Sequence, residues 1–88
     1  MDTQIHTVLD LKADAYLQPF FSKNEAVAIR SFQTASQDPE HLFAQHPLDY
    51  ILVHLGSYNE TTGAITALDS PMPIGSAHDF RKTQEELI

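Results

Sequence analysis

The alternation of apolar and polar positions predicts a small domain built on β-strands. Gln4–Leu11 alternates at the period of a strand with one buried face. Tyr50–Gly56 is apolar on both faces, which is typical of a central strand. Gly63–Asp69 reads as the return strand of a hairpin, with Gly63 suited to a positive-φ turn and Pro71 expected to stop the strand.

One long helix is predicted between the first two strands. Lys23–Ser36 carries apolar residues at helical spacing. Ser22 and Glu25 have the spacing of a capping box, in which each side chain accepts a hydrogen bond from the other residue's amide. Asp38–Pro39 should end this helix and cap a short second one. Ala77–Leu87 predicts a weaker C-terminal helix.

These elements predict an α+β fold. The expected order is β-α-α-β-β-α, with a two-layer arrangement of about three antiparallel strands and the main helix packed on one face. Residues 1–88 form a single domain in this interpretation, and residues 70–88 are a segment that docks, swaps or frays.

A single helix covers only one face of such a sheet. The uncovered face is expected to carry Val8 and His6 together with one side of the second strand, which holds Tyr50, Leu52 and His54. A symmetric homodimer, formed through that face or through a sheet edge, would bury those side chains. His54 fits either a core histidine or an interface histidine.

Charge narrows the range of partners. Twelve Asp and Glu residues against five Lys and Arg give a formal net charge of −7. Such a surface opposes non-specific binding to nucleic acid, which depends on neutralising phosphates.

The absence of cysteine excludes disulfides and thiolate chemistry. The first residues lack the features of a signal peptide, and no apolar run is long enough to span a bilayer, so a cytosolic location is expected.

Single-stranded DNA remains an alternative ligand. Tyr16 and Tyr58 fall in predicted connections, where their rings could stack on bases or fold back over the sheet. The cations that could accompany them are Lys12, Lys23 and Arg30.

Catalytic and metal-binding patterns are weak. His41 and His46 lie close to several carboxylates, but their spacing does not place them on one helical face. The serines and glycines form no nucleophile elbow and no phosphate-binding loop. We therefore expect no enzyme activity, no metal and no cofactor.

Several stretches resemble the small nonstructural protein of gokushoviruses, single-stranded-DNA phages of the Microviridae. The resemblance rests on Asp10–Phe21, which includes AYLQPFF, and on Glu25–Phe32. It continues through Asp38–Gly56, which has the pattern DPxHxFxxHPxDYxLxxLG, and ends with Ser57–Asn59 and Thr62–Gly63.

The resemblance implies an accessory phage protein encoded beside the replication initiator and capsid genes. It implies a role in the infected cell's cytoplasm at the switch from duplex copying to single-strand synthesis and packaging. The family supplies no catalytic residues. The leading hypothesis is a homodimer that binds the replication initiator or capsid-assembly proteins. The alternatives are direct binding of single-stranded DNA and binding of a host factor.

Overall fold

The computed structural model describes residues 2–80 and has an α+β fold around one curled antiparallel sheet. In chain order the elements are β1 (Asp2–Asp10), β2 (Ala15–Tyr16), β3 (Phe20–Ser22), α1 (Glu25–Gln37), α2 (Leu42–Gln45), β4 (Tyr50–Asn59) and β5 (Ile65–Ser76). Residues 77–80 are again helical. No helix within residues 2–80 combines the length and the apolar character needed to cross a bilayer.

The predicted sheet of three strands in the order β-α-α-β-β-α is wrong in number and order. The sheet has five strands, because the connection after β1 turns back and pairs with it twice. Tyr16 of β2 lies opposite Leu9, and Phe21 of β3 lies opposite Ile5. Pro19 separates the two short strands. Strands of two and three residues are too short to show an alternating pattern, so the sequence gives no sign of them.

The last strand extends past the point where prolines were expected to end it. β5 runs from Ile65 to Ser76 and pairs with β4 on both sides of an irregular stretch between Ala67 and Met72. The strands follow one another across the sheet as β2-β1-β4-β5, so β5 is an edge strand. Proline is tolerated at an edge because its missing N–H can face solvent. Residues 70–76 lie within β5, and residues 81–88 of the segment predicted to dock, swap or fray lie outside the described part.

The main helix begins later than predicted, and a different residue caps it. Asn24 is the N-cap, and its side chain accepts a hydrogen bond from the Val27 amide at 2.9 Å. Ser22, the predicted cap, instead belongs to β3 and lies opposite Gln4. The capping-box interpretation is wrong because the pairing of β3 with β1 holds the backbone extended at that residue.

The core lies between the sheet and the helices. Its central residues are Val8, Phe32, Phe43, Tyr50, Leu52 and Ala77. They come from β1, α1, α2, β4 and residue 77 at the start of the last helical turn. All three helical segments therefore pack on the same face of the sheet, the one that carries Val8 and Leu52.

Candidate functional site

Two histidines face each other across the central strands. His6 of β1 lies opposite His54 of β4, and their rings stack with centroids 4.7 Å apart. The pairing depends on a bulge, because Ile5 lies opposite Gly56 while His6 lies opposite His54, so Leu55 is left unpaired. The bulge places both histidines on the helix-covered face.

A carboxylate from the helix approaches this pair. Glu25 is the first residue of α1, and its Oε1 lies 4.0 Å from His6 Nε2. Its side chain is 54% exposed, whereas that of His6 is fully buried. The Asn24 cap fixes where the helix starts and thereby places Glu25 beside the histidines.

His6 is buried without a hydrogen bond. Neither ring nitrogen has a hydrogen-bonding partner. Burial lowers the pKa of His6, and the neighbouring His54 lowers it further, while Glu25 acts in the opposite direction. The imidazole is therefore held neutral near pH 7, with a lone pair on one nitrogen.

His54 has a defined tautomer. Its Nε2 lies 3.0 Å from the Gly56 carbonyl oxygen and 3.0 Å from Gln4 Oε1. Because a carbonyl oxygen only accepts, Nε2 carries the proton. In the neutral ring Nδ1 then holds the lone pair.

Within residues 2–80, one group of potential metal ligands is compact enough to share an ion. It consists of His6, Glu25 and His54, whose donor atoms all lie within 4.8 Å of one another. The residues weighed from sequence lie elsewhere. His41 caps α2 through Nδ1, which accepts from the Phe43 amide at 3.1 Å, and His46 is exposed at the end of α2.

The residues predicted for a dimer interface lie mainly under the helices. Val8, Tyr50 and Leu52 are buried core residues, and His54 is half-buried on the same face. The sequence assigned them to an uncovered face, but both faces of β4 are apolar, so alternation alone could not indicate which face α1 covers. The homodimer stays a prediction, and these residues are not its available surface in the folded chain.

The opposite side of the sheet, here called the outer face, is also apolar. The strand pairings place Ile5, Leu9, Ile51 and Val53 near its centre and Tyr16, Phe21, Tyr58 and Ile65 around them. Ile5 and Val53 are buried, whereas Tyr16, Phe21 and Ile65 are 52%, 55% and 65% exposed. Phe21 and Tyr58 make an edge-to-face ring contact at 5.7 Å.

The residues of the predicted DNA-binding set do not converge. Tyr16 and Tyr58 share the outer face, but they lie opposite Leu9 and Thr3, six residues apart on β1 and so about 20 Å from each other. Arg30 is exposed on α1, across the sheet from both rings. Lys12 lies in the turn before β2, and Lys23 lies between β3 and α1. DNA binding stays a prediction, and the five residues predicted for it do not line a common groove.

Sequence reasoning missed the histidine–carboxylate group. A signal was present, since His6 and His54 each sit within an apolar strand. Recognising the pair required the register of two strands that are nearly 50 residues apart, including a one-residue bulge that no composition pattern marks.

Comparison with known proteins identifies the family. No curated protein and no solved structure shows significant similarity to the chain. A family model described as "Phage ORF5 protein" matches residues 3–80, which spans β1 to the last described helical turn. The chain belongs to the Phage ORF5 protein family and is a bacteriophage accessory protein.

Proposed function

We propose that this protein is a non-enzymatic phage accessory protein that forms a homodimer through its outer face and binds the viral replication or packaging machinery. The observation that carries the proposal is the apolar outer face, with Tyr16, Phe21 and Ile65 exposed. The resemblance of Ala15–Phe21 and Asp38–Gly56 to gokushovirus small nonstructural proteins supports the viral context.

The outer face suits a second copy of the chain. Its paired positions carry no charged side chain, and Glu60, whose Oε1 accepts a hydrogen bond from Thr3 at 3.4 Å, lies at one end of the face. Two molecules with a net charge of −7 can therefore meet over the centre of the face without placing carboxylates against each other. Exposed aromatic and aliphatic side chains around a buried centre are the composition expected of an interface core.

The sheet edges are poorer candidates for dimerisation. One edge is formed by the short strands β2 and β3, which Pro19 separates. The other is β5, which contains Pro71 and Pro73 and an irregular stretch beside β4. Prolines and irregular edges block pairing with another strand, which leaves the face as the surface for self-association.

Charge favours a basic partner outside the dimer interface. Within residues 2–80 there are ten carboxylates and three Lys or Arg residues. Proteins that handle a DNA genome present basic surfaces, and an acidic partner would steer toward them. A replication initiator or a capsid-assembly protein has this chemistry.

Self-association can be tested by light scattering coupled to size-exclusion chromatography on the full chain. We expect a dimer for the wild type and a monomer for Ile65→Glu and Phe21→Glu. Leu48→Glu and Leu42→Glu are matched controls, because Leu48 is 67% and Leu42 is 55% exposed and both lie in or beside α2. The controls should remain dimeric. A monomeric wild type at high concentration, or dimeric outer-face variants, would overturn the dimer.

The partner can be tested in infected cells. Tagged wild-type protein should recover the replication initiator or capsid-assembly proteins, and Leu48→Glu should recover them equally well. Recovery of neither class would refute the proposed partner while leaving the result on dimerisation untouched.

A further inference from the structure

We propose that His6, His54 and Glu25 form a binding site for a divalent transition-metal ion, with Zn²⁺ as the expected metal and water as the fourth ligand. The three side chains come from β1, β4 and the first turn of α1, and their donor atoms all lie within 4.8 Å of one another. This inference is independent of the proposed dimer and its partners.

His6 supplies the first reason. It is fully buried, and both of its ring nitrogens lack a hydrogen-bonding partner. Buried polar atoms are nearly always satisfied, because leaving one without a partner loses the hydration that it had in water. A bond from one ring nitrogen to a metal would compensate for that lost hydration, and the nitrogen lies 4.0 Å from the Glu25 carboxylate, a charged ligand for the same ion.

His54 supplies the second reason. Its Nε2–H is directed at the Gly56 carbonyl oxygen and at Gln4 Oε1, both at 3.0 Å. Metal-binding histidines usually donate their other ring N–H to a carbonyl or carboxylate, which fixes the tautomer and the ring orientation. The hydrogen bonds to Gly56 and Gln4 provide that support and leave the lone pair of Nδ1 to bind the metal, while the 4.8 Å separation is that of one nitrogen of each ring and a Glu25 oxygen.

Glu25 completes a donor set of two imidazoles and one carboxylate. Such a set, with a water in the fourth position, is common for Zn²⁺ with three protein ligands. Tetrahedral Zn²⁺ at its usual bond lengths needs donor atoms about 3.3 Å apart. The donors must therefore close in from their present separation, and Glu25 can supply much of the movement because its side chain is 54% exposed. The same exposure gives an ion a path from solvent.

A bound ion would join the start of α1 to the two central strands. Binding to the folded chain alone raises stability in proportion to the logarithm of metal concentration over Kd. With Zn²⁺ in about hundredfold excess over Kd, the midpoint of thermal unfolding should rise by roughly 10–20 °C.

The test is calorimetric titration of the full, tag-free chain with Zn²⁺, together with Co²⁺ absorption as a readout of tetrahedral geometry. We expect one ion per chain, loss of binding in His6→Leu and at least about tenfold weaker binding in Glu25→Gln. His6→Leu should stay folded, because an apolar side chain of similar size removes the unsatisfied nitrogens. Glu25→Gln changes an exposed side chain and should not disturb folding. It therefore still tests the site if His6→Leu fails to fold.

His46→Ala is the matched control, since His46 is an exposed histidine outside the group. It should bind Zn²⁺ as the wild type does. Three outcomes would overturn the site: no binding by the wild type, unchanged affinity in Glu25→Gln, or loss of binding in His46→Ala.

Discussion

At the scale of single residues, the decisive feature is a bulge at Leu55. In a regular antiparallel register that continued from Ile5 and Gly56, His6 would lie opposite Leu55, and His54 would lie opposite Thr7 on the other face. The bulge brings the two rings together on the helix-covered face. Sequence patterns assigned each histidine to a strand, but a one-residue change of register is decided by packing of the whole sheet.

Gly56 beside this bulge has no room for a side chain. A Cβ at this position would collide with the Thr66 carbonyl oxygen of β5. We expect Gly56→Ala to lower the free energy of unfolding by about 1–3 kcal/mol, because either the β4–β5 pairing or the bulge must shift. Urea denaturation measures the loss.

Gly63→Asn is the control for that substitution. Gly63 has φ of 78°, nothing lies near the added Cβ, and Asn tolerates this conformation better than other residues. Gly63→Asn should lower the free energy of unfolding by much less than Gly56→Ala does. If both variants lost the same amount of stability, the loss in Gly56→Ala would come from the conformational freedom of glycine and not from a collision between the added Cβ and β5.

Ionisation of Tyr50 is expected to make the folded chain less stable at alkaline pH. Burial raises the pKa of Tyr50 above its usual 10.0, and Asp10 and Asp49 raise it further. A group with a raised pKa in the folded state contributes stability that is complete below pH 10 and is lost as pH rises through the folded pKa. Chemical denaturation between about pH 9 and pH 11 should show a steeper loss for the wild type than for Tyr50→Phe.

Tyr16→Phe is the comparison for this pH effect, because Tyr16 is 52% exposed. It should follow the wild-type curve. A Tyr50→Phe variant whose stability falls as steeply as that of the wild type would show that ionisation of Tyr50 does not contribute.

At the scale of secondary-structure elements, long periodic segments were predictable and short or edge segments were not. β1, α1 and the start of β4 follow from alternation and helical spacing, and Gly63 has the positive φ expected of it. β2 and β3 have too few residues to show a period. β5 passes through two prolines because it lies at an edge, and edge position is a property of the sheet rather than of the local sequence.

The helix start shows how sheet pairing overrides a local motif. Ser22 and Glu25 match a capping box, but Ser22 is held in β3, and Asn24 takes the cap position. Asn24→Ala should cost about 1 kcal/mol of stability by removing the acceptor for the Val27 amide. Ser31→Ala, at an exposed position of α1, should change stability by less than about 0.5 kcal/mol. A loss in Asn24→Ala no larger than in Ser31→Ala would contradict the assigned cap.

At the scale of the whole molecule, composition predicted the acidic character, while only the structure shows where each group lies. The sequence could not indicate which apolar face of β4 the helices cover, since both satisfy the same pattern. With Val8 and Leu52 buried on the helix-covered face, the exposed apolar side chains of Phe21 and Ile65 lie on the outer face. The choice of face follows from the packing of Phe32 and Phe43 against the sheet.

Charge placement leads to a prediction about single-stranded DNA. Tyr16 and Tyr58 lie about 20 Å apart, and Arg30 lies across the sheet from both. Lys12 lies in the turn before β2 and Lys23 follows β3, so the three cations of the predicted set are spread over separate parts of the fold and form no common patch for successive phosphates. A gel shift on circular single-stranded DNA should therefore show no retention at about 0.15 M salt, and Tyr16→Ala with Tyr58→Ala should behave as the wild type does. Tight retention that weakens steeply with salt and is lost in the double variant would show instead that the tyrosines form a DNA-binding surface.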